Sequence, residues 1–316
     1  MGCWAIGGPF YSGEESLGWG VVDDAQSIRA LHAAYDHGIR IFDTAAVYGA
    51  GHSERIVGEA LKGRNDCLVV TKFGLRFDEV SKQVLGTNTD PAHVALAIDE
   101  SLIRLQRESI DLLLLHLNDL STGIADPLFH EMTKACENGK IKSFGWSTDY
   151  PDSVKVAARY DNFVAVEHCM NVFVDTPTIQ KEITNNNLIP LIRSPLAMGV
   201  LTGKYTAETR FPKNDNRSRE EAWRDYFVDS SVAPIHLRNL EAVRECLMNG
   251  GRTLTQGALN WIMAKSPVNI PIPGARTADQ IIESARSVEF GPLPENIMDE
   301  IEALIERSPE GEPRDR

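Results

Sequence analysis

Four side chains whose types could together move a proton stand at or just past the ends of apolar runs. Asp43 and Tyr48 lie in IRIFDTAAVYG, Lys72 in CLVVTKFG and His116 in IDLLLLHLND. A free phenol titrates near ~10, too high for ready proton exchange at neutral pH. A neighbouring ammonium favours the phenolate and lowers that value. Lys72 is expected to supply the charge, Asp43 to hold Lys72, and His116 to orient a carbonyl oxygen beside Tyr48. Donor, tuner, positioner and orienter make a general-acid site suited to reduction of a carbonyl. Taken singly, each has a plainer reading. Asp43 could be a strand-end cap, Tyr48 a turn aromatic beside Gly49, Lys72 a lysine reaching solvent, and His116 a hydrogen-bonded core histidine. Four such accidents at equivalent strand ends are a poorer account than one site.

The elements that must position these residues alternate. Short β-rich runs are read at 3–6, 40–42, 67–71, 110–115, 141–144, 163–166, 188–192 and 269–272. Helical periodicity fills the intervals. The stretch 24–37 carries Ile28, Leu31 and Ala34 at helical spacing and stops at Gly38; DPAHVALAIDESLIRLQ opens on an Asp cap and Pro91. Helices are also read at 177–184, 234–248, 255–264 and 277–287. Eight strands alternating with helices predict a (β/α)8 barrel of the TIM type, a single domain over residues 1–316. An open doubly wound sheet is the competing arrangement, but no GxGxxG follows the first run. In a barrel the site lies where strands end in the C-terminal direction. Asp43, Lys72, His116, Ser147, Glu167, Arg193 with Ser194, and Gly274 are therefore expected on one rim. The irregular stretch 206–232 is long enough to expect a function or mobility. The tail RSPEGEPRDR is expected to fray.

Composition narrows the classes. Of 316 residues, 42% are hydrophobic and 24% charged, a soluble balance. The net charge of −13 argues against nucleic acid or an anionic membrane as the main partner. The apolar run Leu112 to Leu115 is far too short to span a bilayer, and no secretory signal is visible. Five cysteines, odd in number and without a CxxC pair, fit a reduced cytoplasmic setting and no metal site. The expected partner is a small carbonyl compound, and the expected state a monomer or small homo-oligomer.

The segment GIRIFDTAAVYGAGHSERIVGEALKGR resembles the signature of the aldo-keto reductase family. LVVTKFG, IDLLLLHLND, GKIKSFGWSTD, RSPLAMGVLTGKY and IPIPGARTADQIIESA follow in that family's order, so the likeness covers about residues 2–290. It implies a (β/α)8 barrel binding NADPH (NADP+) across its rim, with Asp43, Tyr48, Lys72 and His116 as the catalytic tetrad. It implies hydride transfer to the carbonyl carbon while Tyr48 protonates the oxygen. Ser147 and Thr148 match a Ser-Asn pair that holds the carboxamide; Thr148 departs from Asn. Glu167 stands where the family usually has Gln. Arg193 stands where an aromatic commonly stacks on the nicotinamide, and is expected to stack through its guanidinium plane and to pair with Glu167. Ser194, Leu196, Gly199 and Leu201 resemble the pyrophosphate loop. Gly274, Arg276, Gln280, Glu283 and Ser284 resemble the segment that grips the adenosine end; Ser284 replaces an Asn. Arg276 with Thr277 implies recognition of a 2′-phosphate and so NADPH over NADH.

Trp4, Trp19, Phe73 and Trp146 are candidates for the substrate pocket. The hairpin that usually plugs the barrel bottom is read as missing, and the segment after Gly291 as short, which would leave the pocket open. Two competing functions stand beside the reductase. One is a cofactor-retaining regulatory subunit, as some family relatives are. The other is a metal-dependent lyase or hydrolase using Asp43, Glu167 and His116, in which Lys72 and Tyr48 would have no role.

Overall fold

The computed structural model describes residues 1–219, 225–307 and 310. Seven parallel strands run in chain order around one curled sheet: β1 (Ile41–Asp43), β2 (Leu68–Phe73), β3 (Ile110–Leu115), β4 (Ile141–Ser147), β5 (Phe163–Cys169), β6 (Ile189–Arg193) and β7 (Ile270–Pro271). Helices follow them in turn: His52–Ala60, Val94–Leu105, Thr122–Glu137, Pro151–Ala157, Pro177–Asn185, Pro234–Leu247 with Leu254–Lys265, and Ala278–Ala285. The eighth position is held by residues 1–3. Gly2 bridges Asp43 on one side and Gly274 on the other. Gly2 N donates to Pro273 O at 3.0 Å, and Cys3 N donates to Asp43 O at 2.8 Å. The closed (β/α)8 ring is therefore present, but its first strand is shorter and earlier than expected. Trp4–Ile6, read above as a strand, is a 3-10 helix.

Sequence punctuation explains the helix limits. Asp23 caps Asp24–Asp36 by accepting from Gln26 N, and Gly38 takes φ +87° just past its end. Asp90 caps the turn that leads into Val94–Leu105. Thr253 and Gln256 form a reciprocal capping box on Leu254–Lys265. Five of the seven strands run one to three residues further than expected, because Asp43, Lys72, Ser147, Glu167 and Arg193 are themselves in the sheet.

Inside the ring, side chains alternate with period two. Val70, Leu114 and Leu191 form an apolar layer packed against Ile41, Leu112 and Ile270. Gly145 also belongs there; a Cβ on it would lie 2.1 Å from Ala165 O. Two residues further along these strands come Asp43, Lys72, His116, Ser147, Glu167 and Arg193. The opposite parity faces the helices, where Val69, Leu113, Phe144, Trp146 and Val166 pack with Phe129, Ile98 and Leu105. A second cluster, around Val172, Leu201, Trp261 and Ile301, lies under Pro234–Leu247, Leu254–Lys265 and Glu295–Leu304. Of the tail expected to fray, 308–309 and 311–316 lie outside the described residues. Arg307, by contrast, donates to Val172 O at 2.8 Å.

A buried polar network ties two helices to β2, the strand that carries Lys72. Thr71 Oγ1 donates to Glu54 Oε1 at 2.5 Å, and Arg104 Nε donates to Glu54 Oε2 at 2.6 Å. Glu54 is fully buried. Glu54→Ala leaves the guanidinium of Arg104 inside with the Ser101 hydroxyl and the more exposed Glu79 and Glu100 as its remaining side-chain partners among the described residues. The expected loss is about 3 kcal/mol, read as a lower urea midpoint at constant m-value.

Candidate active site

Asp43 ends β1, and Lys72 is the penultimate residue of β2 on the same inner face. Lys72 Nζ donates to Asp43 Oδ1 at 2.6 Å, to Oδ2 at 2.8 Å and to Thr44 O at 3.0 Å. A third charge joins them: Glu167 on β5 brings Oε2 to 3.3 Å from the same ammonium. All three are at least 97% buried. Burial alone would lower the Lys72 pKa, but attraction to Asp43 and Glu167 outweighs it and carries the value above the ordinary one. Asp43 is raised well above an ordinary carboxyl, first by burial and then by Glu167, against the pull of Lys72.

Tyr48 sits on a turn that follows β1. Its amide donates to Ala45 O at 3.1 Å, and Ser53 N donates to its carbonyl at 3.2 Å. Gly49 has φ +61°, and a Cβ there would fall 1.7 Å from Gly7 O, so only glycine lets the turn seat against residues 7 and 8. Lys72 Nζ lies 5.2 Å from the Tyr48 ring centre. The ring stacks on Trp4 at 5.8 Å and meets His116 edge-on at 5.8 Å; Trp19 stands edge-on to Trp4 at 5.4 Å. The expected depression of the phenol pKa is corrected here. Burial pushes Tyr48 up to about 12; Lys72 pulls it down, and the negative charges of Asp43 and Glu167 oppose that pull. The phenol is therefore held protonated, and Lys72 limits the rise.

A cleft of about 720 Å³ opens above this layer. Trp4, Trp19, Asp43, Tyr48, His116, Glu167, Arg193, Ser194, Leu196, Gly199, Gly274, Arg276, Gln280, Glu283 and Ser284 line it. Six of the expected residues stand elsewhere, and the alternation of strands accounts for two of these, Trp146 and Phe73. Lys72 and Ser147 face inward in the same layer as Asp43 and Glu167 but are fully buried beneath the cleft; Ser147 Oγ donates to Glu167 Oε1 at 3.2 Å. Trp146 is on the outer face, fully buried beside Phe129, with its indole donating to Leu117 O at 2.8 Å, so it is not a pocket residue. Phe73 also has outward parity and lines a separate cavity with Leu75, Phe77 and Val94. Thr148 is fully buried with Oγ1 donating to Asn118 O at 2.7 Å. Leu201 is in the second core cluster, because its loop has already turned away from the rim.

Arg193 departs from expectation in its partner. Its guanidinium pairs with Asp149, not with Glu167. Arg276 donates to Trp19 O at 3.0 Å and to Val21 O, tying the 19–21 loop to the far end of the cleft. Three cations that the motif reading omitted also line it: Lys204, Arg217 and Arg219. Lys204 rests over the Tyr205 ring at 5.0 Å, and Arg217 over Trp19 at 4.6 Å while bonded to Asp215. The signal was present in GKY and in the arginines of the long connection, whose residues 220–224 lie outside the described ones.

The lining suits an elongated anion with a planar amide at one end. Glu167 Oε2 and Arg193 Nε are buried and accept or donate no hydrogen bond. In the loop after β6, Ser194, Ala197 and Met198 all take positive φ, with Gly199 at +99°. Such left-handed residues present successive N–H groups to one side, and non-glycine examples cluster at ligand sites. The helix Ala278–Ala285, capped by Thr277, starts at the cleft's far end.

Residues 9–306 match the sequence model of the Aldo/keto reductase family, and the chain belongs to that family, whose members are NADP-dependent oxidoreductases of carbonyl or alcohol groups. Aldo-keto reductase YhdN of Bacillus subtilis is 29% identical over 89% of this chain and 82% of its own. A probable voltage-gated potassium channel subunit beta of Oryza sativa is 27% identical over 91% and 90%. The solved glycerol dehydrogenase of Gluconobacter oxydans superposes with a TM-score of 0.80 at 31% identity, covering 96% of this chain and 90% of that one.

The clamp yields a stability prediction. Lys72→Met removes the ammonium from between two buried carboxylates and should cost about 3–5 kcal/mol at pH 8. A carboxyl whose folded pKa lies above its ordinary 3.8, as Asp43's does, binds its proton more readily folded than unfolded. Its ionisation therefore weakens folding as pH rises through the folded value. The variant should regain stability as pH falls below 8 through that raised value, in denaturant melts at each pH, and the deficit relative to wild type should shrink as it does.

Proposed function

We propose that this protein reduces aldehyde or ketone carbonyls with NADPH, and oxidises the corresponding alcohols in reverse, with Tyr48 as the general acid. The observation that carries the reading is the convergence of Tyr48, His116 and the Lys72–Asp43 pair on the floor of one cleft. NADPH, when bound, supplies a hydride to the carbonyl carbon. The chain supplies the proton and its control. Tyr48 is in its donor form at neutral pH because burial holds the proton on. His116, edge-on to that ring, orients the carbonyl oxygen toward the phenol. As Tyr48 gives up its proton, the Lys72 ammonium stabilises the phenolate left behind, and Asp43 keeps that ammonium from turning to solvent. Trp4 and Trp19 wall the reacting end and exclude water.

Ser194, Leu196, Gly199 and Lys204 are suited to the pyrophosphate. Arg276, Gln280, Glu283 and Ser284 are suited to the adenosine end, with Arg276 toward a 2′-phosphate. The relative named glycerol dehydrogenase supports small hydroxylated carbonyls in the first substrate panel. The relative named as a channel β subunit favours a second reading, a cofactor-holding regulatory subunit. Tight NADPH binding without turnover on any carbonyl of the panel would select it.

Tyr48→Phe should lower kcat by at least ~100-fold while the NADPH dissociation constant stays within about twofold, measured by cofactor absorbance and by fluorescence titration. A wild-type kcat in that variant rejects Tyr48 as the donor. Activity abolished by chelator but indifferent to Tyr48→Phe would return the metal-dependent reading.

A further inference from the structure

We propose that Glu167 is the counter-charge for the oxidised nicotinamide, so that one carboxylate sets the balance of affinity between NADP+ and NADPH. The inference rests on the cofactor reading above. Its basis is an imbalance in the buried layer. One ammonium, Lys72, faces two carboxylates, and Asp43 takes the closer share with both oxygens, at 2.6 and 2.8 Å. Glu167 is left with Ser147 Oγ on Oε1 at 3.2 Å and with Lys72 Nζ at 3.3 Å from Oε2, an oxygen that accepts no hydrogen bond.

A further cation of the cleft lining, Arg193, feels the charge of Glu167 but is bonded elsewhere. Its guanidinium is paired with Asp149. The layer thus sets two carboxyl groups against one ammonium, and Glu167, 98% buried, is the one of the two with the weaker share and lines the cleft with Tyr48 and His116. An incompletely compensated buried carboxylate favours whichever bound species brings positive charge, and in low dielectric that preference is large. The two cofactor forms differ at the ring alone: the oxidised nicotinamide is a cation and the reduced one is neutral. A glutamine of the same shape would keep an amide contact and lose the discrimination.

The test is the pair of dissociation constants for NADP+ and NADPH, measured by tryptophan fluorescence quenching in wild type and Glu167→Gln. The expected result is a rise of about tenfold or more in the ratio Kd(NADP+)/Kd(NADPH), arising from weaker NADP+ binding, with Glu167→Asp retaining the wild-type ratio. Both constants weakening in parallel, or neither changing, overturns the proposal. Should Glu167→Gln fail to fold, wild type decides alone: preference for NADPH by more than about tenfold overturns it. Wild type binding neither form would instead defeat the cofactor reading on which the inference stands, so the two failures are distinct.

Discussion

The ion pair between Lys72 and Asp43 organises the rest of the site. An ammonium cannot sit fully buried under a cleft without partners, and Asp43 gives it two short charge-assisted bonds while Thr44 contributes a carbonyl. The pair fixes the ammonium below Tyr48 and away from solvent. Its cost is offset by a rigid surround: Glu54, Thr71 and Arg104 lock β2 to its flanking helices, and the Gly2 bridge joins Asp43 at one end of the sheet to Gly274 at the other. The catalytic layer is therefore the uppermost layer of the barrel interior, and not an attachment to its loops.

That layer also sets the protonation state of the Tyr48 phenol. Burial and two carboxylates hold its proton on, and one ammonium keeps the rise in check. The charges that favour the protonated phenol also bear on Asp43 and Lys72, so these three groups respond to one another. A change at any one alters the others, and single substitutions report on the cluster as a whole.

Much of this was legible in the chain before its coordinates. The alternation of runs gave the barrel, and Asp43, Lys72 and Glu167 could be seen to interrupt apolar strands in the C-terminal direction. What could not be read was parity. Trp146 and Phe73 stand one residue from inward-facing Ser147 and Lys72, and a shift of one residue exchanges cleft for helix packing. Leu201 was misread because a motif carries no information about where a loop turns away. Strand one was misread because a single bridged glycine has no periodicity to detect. Arg193 found Asp149 because that residue, in the loop after β4, reaches over the end of β5, where Cys169 N donates to its Oδ1 at 2.8 Å and Cys169 pairs in register with Arg193. Lys204, Arg217 and Arg219 reach the cleft through a long connection whose path no local pattern specifies.

The central claim is that the Lys72 ammonium stabilises the phenolate formed at Tyr48 as the proton leaves. The most direct test is a single turnover in Lys72→Met preloaded with NADPH, following loss of cofactor absorbance after mixing with a carbonyl substrate. The account predicts that NADPH still binds and that the transfer step slows by at least ~100-fold; a rate equal to wild type in the folded, cofactor-loaded variant would contradict it.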